Sequence, residues 1–224
     1  MTLSPAHRIA AGLRRGHDVD VLQPSGARGK LAAADLRSAL LDTTGHADPR
    51  PFELAGCGLV GQLDLRNVDV QVPLSFRNCE FDQPVMLDGA HLRALSFVGC
   101  EPIPGIVANG ATINGNLIIE ETKIVGAVGT VASMRQTAAV WLCEARIGGR
   151  LLIRNGSTID GRGGRSVQAD RIVVGANIRI LDRSNLVGEL RLLSARVAGS
   201  LDIVSSTVVT HDELAERAAR GEGR

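Results

Sequence analysis

The stretch Ala111-Thr-Ile-Asn-Gly-Asn-Leu-Ile-Ile119 recurs twice more in this chain with its internal spacing preserved. It returns as Ala145-Arg-Ile-Gly-Gly-Arg-Leu-Leu-Ile153 and as Ala195-Arg-Val-Ala-Gly-Ser-Leu-Asp-Ile203. Each copy has a small residue, an aliphatic residue two positions later, a glycine, and then a second aliphatic pair. Recurrence at fixed offsets is typical of repeat proteins, in which each unit stacks on its neighbours.

One aliphatic position of this motif, the rung, forms a ladder along most of the chain. The first rungs are 11, 11, 11, 11, 10 and 11 positions apart: Leu59, Val70, Phe81, Leu92, Ile103, Ile113 and Ile124. The ladder resumes at Ile147, Ile159, Leu186, Val197 and Val208. Apolar and polar residues alternate around each rung, as in a β-strand. Glycine recurs with the rungs and costs about 1 kcal/mol in a helix interior, so a helical repeat is excluded.

Two half-units make one coil, and the sequence therefore predicts an all-β parallel solenoid with about 22 residues per coil. About seven coils fit between residues 54 and 209, giving a rod roughly 35 Å long at a strand spacing of about 4.8 Å. Small residues precede the rungs and fit a narrow interior, which agrees with an aromatic content of only 2%. Cys57, Cys79 and Cys100 stand in this small-residue column. Their stacking suits a disulfide, but buried free thiols acting as small apolar side chains are the favoured interpretation.

The ends of the chain have helical signals instead of the repeat. Ser4 and Pro5 fit the start of a helix to Arg15, and a second helix is predicted from Lys30 to Asp42. Thr210 and Glu213 form a capping box for a third, short helix. We therefore divide the chain into a helical lead-in and cap (1–50), a β-solenoid (51–209), and a C-terminal helix with a frayed tail (210–224).

Two stretches, residues 126–139 and 160–169, interrupt the ladder. Loops on a rigid scaffold often carry function, but tolerated insertions are the favoured interpretation here. Trp141, the only tryptophan, follows the first stretch. We expect it to pack on a widened coil.

The alternation of small and large residues resembles that of pentapeptide-repeat proteins, which form right-handed quadrilateral β-helices. The units here depart from strict fives, because each half-coil carries an extra residue at the glycine bend. A closer likeness is to actinobacterial solenoid proteins rich in Ala-Arg-Ile-Gly-Gly-x-Leu units, often labelled membrane-associated oxidoreductases. The resemblance covers about residues 28–209 and implies a right-handed, four-sided solenoid. It also implies two activities: a redox reaction from that label, and protection of type II topoisomerases by mimicry of duplex DNA.

The sequence predicts no catalytic, cofactor-binding or metal-binding residue. The glycines at 148–149 and 161–164 lack the following helix of a dinucleotide fingerprint and are interpreted as bends. The cysteines lack zinc-site spacing. His91 is expected to point outward, away from any arrangement of Ser, His and Asp. Without a long apolar run or a signal peptide, we expect a cytoplasmic protein with no membrane span.

Charge is distributed unevenly, although 25 basic and 24 acidic residues leave a net charge of +1. Residues 52–101 contain three arginines and seven acids, whereas residues 146–196 contain ten arginines and four acids. Outward arginines of the distal half are predicted to form a basic stripe that contacts an acidic protein or a phosphate backbone. Its members are Arg150, Arg154, Arg179 and Arg191. A merely solvated surface is the alternative, and the asymmetry also permits head-to-tail association.

Three functions follow from these observations. The favoured one is a non-enzymatic interaction or scaffold module whose flat faces bind another macromolecule, either a protein partner or a second copy. Nucleic acid is a weaker candidate partner. The second function is a topoisomerase-protecting DNA mimic, which the basic distal half disfavours. The third is the oxidoreductase of the family label, for which we identify no residues and no cofactor.

Overall fold

A computed structural model describes residues 9, 11–13, 19–20, 28–42, 50–126, 128–129, 137–210, 212–213, 216 and 220. These residues form a parallel β-solenoid of about six turns with strands on four faces. Each coil visits the four faces in the same order and hydrogen-bonds to the coils before and after it. The predicted all-β, four-sided solenoid is thereby confirmed. No helix in the described residues is long and apolar enough to cross a bilayer.

Face 1 is an uninterrupted sheet of eight strands. They are β1 (Val19–Asp20), β3 (Phe52–Ala55), β6 (Leu74–Arg77), β10 (Leu95–Val98), β13 (Leu117–Glu120), β18 (Leu151–Arg154), β21 (Ile178–Leu181) and β24 (Leu201–Val204). In most of these strands the first and third residues are buried and the second and fourth face outward, as Leu95 and Phe97 against Ser96 and Val98 in β10.

Faces 2 and 3 share two long strands that turn the corner between them, β19 (Thr158–Gln168) and β22 (Asn185–Arg191). Face 2 also contains β2 (Gly29–Ala32), β4 (Cys57–Val60), β7 (Glu80–Phe81), β14 (Lys123–Val125) and β25 (Thr207–Val209). Face 3 also contains β8 (Val85–Met86), β11 (Ile106–Val107) and β16 (Thr137–Trp141). Face 4 has six strands: β5 (Asp69–Val70), β9 (His91–Leu92), β12 (Thr112–Ile113), β17 (Arg146–Ile147), β20 (Val173–Val174) and β23 (Arg196–Val197).

The register of face 1 gives the length of each coil. One inward column contains residues that are 22, 21, 22, 34, 27 and 23 positions apart: Leu54, Phe76, Phe97, Ile119, Ile153, Ile180 and Ile203. The first three coils match the predicted length. The two longest steps contain the predicted interruptions: β15 (Val128–Gly129) pairs antiparallel with β16 in one, and the register shifts within β19 in the other.

Two of the four corners of each coil use left-handed backbone, which explains why the sequence repeats in half-coils. The corner after face 3 has positive φ at Asn67, Gly89, Gly110, Glu144, Arg171 and Ser194. The corner after face 1 has positive φ at equivalent places, among them Gly56, Asn78 and Gly99. Glycine and asparagine adopt this conformation at low cost. Each half-coil therefore contains a strand, a left-handed corner and a second strand.

The predicted rungs form the interior. All those from Leu59 to Leu186 are buried, and Val174 is a rung that the sequence did not reveal. Three of the four phenylalanines pack together in the early coils, with the Phe76 and Phe97 rings stacked at 5.4 Å and Phe81 edge-on to both. Trp141 packs on a widened coil as expected, but on its outer side, in a separate cluster with Val107 and Ala138.

The helix predicted from Lys30 to Asp42 is shorter than expected. Helix α1 spans Ala33–Asp42, because residues 29–32 form β2 and pair in register with β4, which places Leu31 beside Leu59 on face 2. Leu36 and Leu40 of this helix are buried, whereas Leu41 is exposed. The predicted first helix falls mostly outside the described residues, of which 9 and 11–13 are helical. The divisions at residues 50 and 209 stay predictions.

The predicted capping box at the start of the C-terminal helix is confirmed. The Glu213 carboxylate accepts from the Thr210 backbone amide at 2.7 Å, and the Glu213 amide donates to Thr210 Oγ1 at 3.2 Å. Residues 212, 213 and 216 are helical and exposed. Most of the rest of this helix lies outside the described residues.

Candidate interaction surface

The four arginines of the predicted stripe do not all lie on one face. Arg154 ends β18 and Arg179 lies in the neighbouring β21, so both belong to the outer side of face 1. Arg150 stands at the corner between faces 4 and 1, directly before β18. Arg191 lies on face 3, in register with Gln168. The structure therefore brings three of these arginines to one side of the rod and separates the fourth.

Three of the four arginines are paired with a carboxylate of an adjacent coil. Arg154 Nη2 lies 2.7 Å from Glu120 Oε2, and Arg191 Nε lies 3.0 Å from Asp170 Oδ2. Arg179 Nε lies 3.2 Å from Asp202 Oδ2, an ion pair without hydrogen-bond alignment. The hydrogen bond that Arg191 donates to the Asp170 carboxylate raises the pKa of Arg191. These pairs add little stability individually, because they are partly exposed to water, but they neutralise the local charge.

Arginines without an ion pair in the described part of the chain lie elsewhere. Arg146 and Arg196 are exposed on face 4, on either side of Val173 in the same column, and Arg150 is exposed at the adjoining corner. Three of the unneutralised arginines of the distal half thus lie on face 4 and its edge, and two more, Arg162 and Arg183, are exposed elsewhere, within β19 and between β21 and β22. Counting charges between residues 146 and 196 did not predict which arginines are neutralised. Glu120 and Asp202 lie outside that range, yet they pair with Arg154 and Arg179.

The outer side of face 1 has an apolar centre, which we call the face-1 patch. Its members are Val98, Ile118, Leu152 and Leu181, all half-buried outward residues of four consecutive strands. Ile118 and Leu152 are directly in register, and each of the other two is a diagonal neighbour of one of them. Sequence reasoning missed the patch because it followed the inward rungs. The sequence did contain the pattern: consecutive repeats have aliphatic residues at strand positions whose side chains point outward.

Ion pairs border the face-1 patch at both ends and one side. Arg77 makes two hydrogen bonds to Glu53, at 2.8 and 2.9 Å, towards the N-terminal end of the face. The Arg154–Glu120 pair lies beside Ile118 and Leu152, and the Arg179–Asp202 pair lies towards the C-terminal end. An apolar centre surrounded by ion-paired polar groups is the usual composition of a protein-binding surface.

A second concave region lies at the corner between faces 4 and 1 in the early coils. It is an open groove of about 510 Å³ whose polar lining includes Asp69, His91, Arg93 and Asn114. His91 is exposed, as predicted, and pairs in register with Asp69. The lining residues contain no hydroxyl, thiol or amine that could act as a nucleophile. The groove offers a carboxylate, an imidazole, a guanidinium and an amide as hydrogen-bonding groups.

The cysteine column forms the corner between faces 1 and 2. Cys57, Cys79 and Cys100 are buried free thiols, and Thr122 and Ser157 continue the column. The side chains donate to backbone carbonyls of the preceding coil, as Cys79 does to Leu54 O at 3.3 Å. Burial raises the pKa of Cys57 to about 12. A hydrogen bond with the Cys100 thiol, together with burial, raises the pKa of Cys79.

The fold and its surfaces define the class of protein: a four-sided parallel β-solenoid with one long flat face, an apolar patch on that face, and no grouping of three metal-ligating side chains in its described residues. No family model, no curated protein and no solved structure matches the chain.

Proposed function

We propose that this protein is a non-enzymatic interaction module that binds another protein through face 1. The observation that carries the proposal is the face-1 patch, an outward apolar stripe on the longest sheet of the molecule. The inward residues already fill the core, so the fold does not require aliphatic side chains at these outward positions. Exposed apolar residues that are contiguous and bordered by polar groups are typical of protein-binding surfaces.

The dimensions of face 1 suit a protein partner. Seven strand spacings of about 4.8 Å and strands of four residues at about 3.3 Å each give a surface roughly 34 Å long and 13 Å wide. Side-chain relief and the adjoining corners enlarge this area toward the roughly 800 Å² per partner of a standard interface. The face is also rigid, because each of its strands after β1 and before β24 is held on both sides. A rigid surface loses little entropy on binding.

The ion pairs favour a protein over nucleic acid as the partner of face 1. A phosphate backbone binds through free lysines and arginines that release counterions. On face 1 a phosphate would have to displace Glu120 from Arg154 and Asp202 from Arg179. A protein partner can instead cover the patch and leave both pairs in place.

The test is affinity capture from cell extract with three proteins immobilised at equal density. The variant Ile118→Arg/Leu152→Arg places two charges in the face-1 patch. The matched control, Val173→Arg, makes the same kind of change at a half-buried outward residue on face 4. We expect a partner that wild type and the control retain, and that the double variant binds at least tenfold more weakly, since central interface residues contribute about 2 kcal/mol or more. If both variants lose the partner equally, or if neither loses it, face 1 is excluded as the binding surface.

The alternative partner, nucleic acid, is tested with the same protein. Arg146, Arg150 and Arg196 are exposed on the distal part of face 4 and its edge and have no ion pair among the described residues. Fluorescence anisotropy with duplex DNA should give at most the weak, salt-sensitive binding of about 10⁻⁴ to 10⁻⁶ M that basic surfaces produce. Tighter binding to duplex DNA that is lost in Arg146→Ala/Arg196→Ala would identify nucleic acid, instead of a protein, as the partner. A supercoiling assay with a type II topoisomerase tests the DNA-mimic alternative in parallel.

A further inference from the structure

The last coil leaves its interior uncovered. Leu201 and Ile203 stand in register with Ile178 and Ile180, which are buried, and Val208 stands in register with the buried rung Leu186. Strand alternation makes all three point inward like their partners. Yet Leu201 is 48% exposed, Ile203 is 43% exposed and Val208 is 39% exposed. Their distal sides lack the next coil that covers every earlier rung.

The opposite end of the solenoid is covered. Ile9 and Leu13 are buried, as are Leu36 and Leu40 of α1, and all four belong to the main core cluster. Terminal repeats normally need such a cap, because an uncovered coil exposes both apolar side chains and strand edges. Within the described residues the two ends therefore differ: buried helical residues belong to the core at the N-terminal end, and the last coil at the C-terminal end keeps inward side chains exposed.

The open end also lacks the features that protect exposed strand edges. Natural edges are usually blunted by lysine, proline or inward charges, but residues 196–209 contain neither lysine nor proline. Arg196 and Asp202 are the only charged residues there, and Asp202 pairs back to Arg179 in the preceding coil. β23, β24, β25 and the second part of β22 are each the last strand of their face. Each of the four sides therefore ends, among the described residues, in one strand edge that pairs with no further strand.

We infer that this open end is the interface of a homodimer, in which the C-terminal ends of two copies meet. A single extended peptide could pair with one free edge, whereas a second solenoid end presents four edges with the same spacing. Head-to-tail stacking, which the charge asymmetry permits, is disfavoured because the N-terminal end is capped. Two identical ends that meet form a closed two-fold assembly. The four last strands carry two basic and two acidic residues, Glu189, Arg191, Arg196 and Asp202, so the ends of two copies have no net charge that would repel.

The area is sufficient for a stable dimer. A coil of about 22 residues at about 3.3 Å each has a perimeter near 70 Å, and outward side chains add about 5 Å on each side. The end is therefore a square roughly 28 Å wide, about 800 Å² per copy, which is the size of a standard interface. Its centre is aliphatic, and its border contains the exposed Ser200 and Ser205 together with the exposed Leu193 and Val204.

Analytical ultracentrifugation of the full chain tests this inference. Wild type should sediment at twice the chain mass of 23.6 kDa at concentrations of tens of micromolar. Leu201→Arg/Ile203→Arg should sediment as a folded monomer, because both residues are already partly exposed. The matched control is Val60→Arg in β4, since Val60 is also 48% exposed but lies near the capped end. This control should remain dimeric.

Hydrogen exchange gives a second measurement that does not depend on a variant. Backbone amides of residues 201–209 should gain protection as the protein concentration rises, while those of residues 52–60 should not change. A wild type that stays monomeric at about 100 µM, or a dimer that persists in Leu201→Arg/Ile203→Arg, overturns the inference. A dimer lost only in Ile118→Arg/Leu152→Arg would place self-association on face 1 instead and would leave the proposed protein-binding face intact.

Discussion

A Cβ atom on Gly148 would overlap the backbone carbonyl oxygen of Asn114 in the preceding coil. The same relationship recurs one coil later, where a Cβ on Gly175 would overlap the carbonyl oxygen of Gly148. Neither glycine has the positive φ that forces glycine elsewhere in the chain. These two glycines stand directly before the recurring glycine position of the repeat, where the other two copies have Asn114 and Ala198. Glycine in these two coils is thus explained by the close approach of two backbones at the corner between faces 4 and 1.

Gly148→Ala should therefore destabilise the protein by about 1 to 3 kcal/mol, as overpacking in a close-packed site does. Urea unfolding followed by circular dichroism measures the change. The matched control is Gly58→Ala, because a Cβ there meets its nearest atom at 3.9 Å without positive φ. The control should leave the urea midpoint almost unchanged. Similar losses in both variants would mean that close backbone approach is not the reason for the glycine.

Thr122 should contribute more to stability than its volume suggests. Its hydroxyl donates to a carbonyl in this corner, Glu120 O at 2.7 Å, and accepts from the Cys100 amide at 3.2 Å. Thr122→Val keeps the shape but leaves the buried Cys100 amide without its acceptor, whereas the Glu120 carbonyl still accepts from the Gly99 amide. We therefore expect a loss of about 1 to 3 kcal/mol. The same change at Thr112, an outward residue of face 4, should cost less than about 0.5 kcal/mol. Unfolding midpoints of the two variants that differ by less than the experimental error would contradict the role of the corner hydrogen bonds.

The period and the inward side of the fold could be predicted from the sequence, because both depend on rules that act locally. The alternation of strands fixes which residues point inward, and the left-handed corners at Asn67 and Gly89 fix the half-coil. Each regular coil repeats these constraints, so an error in one unit is corrected by the next. The two interruptions were also located, since the ladder loses its spacing there.

The surfaces could not be predicted in the same way, because they depend on contacts between coils. The sequence placed Arg154, Arg179 and Arg191 in one basic stripe, but carboxylates 21 to 34 residues away neutralise them. Likewise the sequence predicted helix at Lys30, where a strand forms because the first coil offers a free edge to pair with. Such pairings require the register between coils, and the interruptions at 126–139 and 160–169 change that register.

Only one thiol should react in the native protein. Cys143 is partly exposed, whereas Cys57, Cys79 and Cys100 are buried in the corner column. A native sample treated with a disulfide reagent at pH 8 should release about one equivalent of chromophore quickly, and the remaining three should react only on unfolding. Cys143→Ser should abolish the fast phase. Rapid release of two or more equivalents from folded wild type would show that the corner column is accessible.

Stability should fall at alkaline pH because of the buried thiol of Cys57. The pKa of Cys57 is raised to about 12 in the folded protein, while a thiol in an unfolded chain has a pKa of about 8.5. A raised folded pKa gives stability that is complete below the unfolded value and lost as the pH rises toward the folded one, up to about 1.4 kcal/mol per pH unit for this thiol. Tyrosine is absent from the chain, so no phenol titrates in this range.

Urea midpoints of reduced protein between pH 8 and 11 measure this decline. Cys57→Ser is the informative variant, because serine occupies the same column at Ser157 and Ser184 and its hydroxyl does not titrate in this range. The variant should lose less stability than wild type over these three pH units, whatever its stability at pH 8. Cys143→Ser serves as the control and should decline as steeply as wild type, since Cys143 is partly exposed and lies outside the buried corner column. Parallel curves for wild type and Cys57→Ser would show that the folded protein does not hold the proton on Cys57.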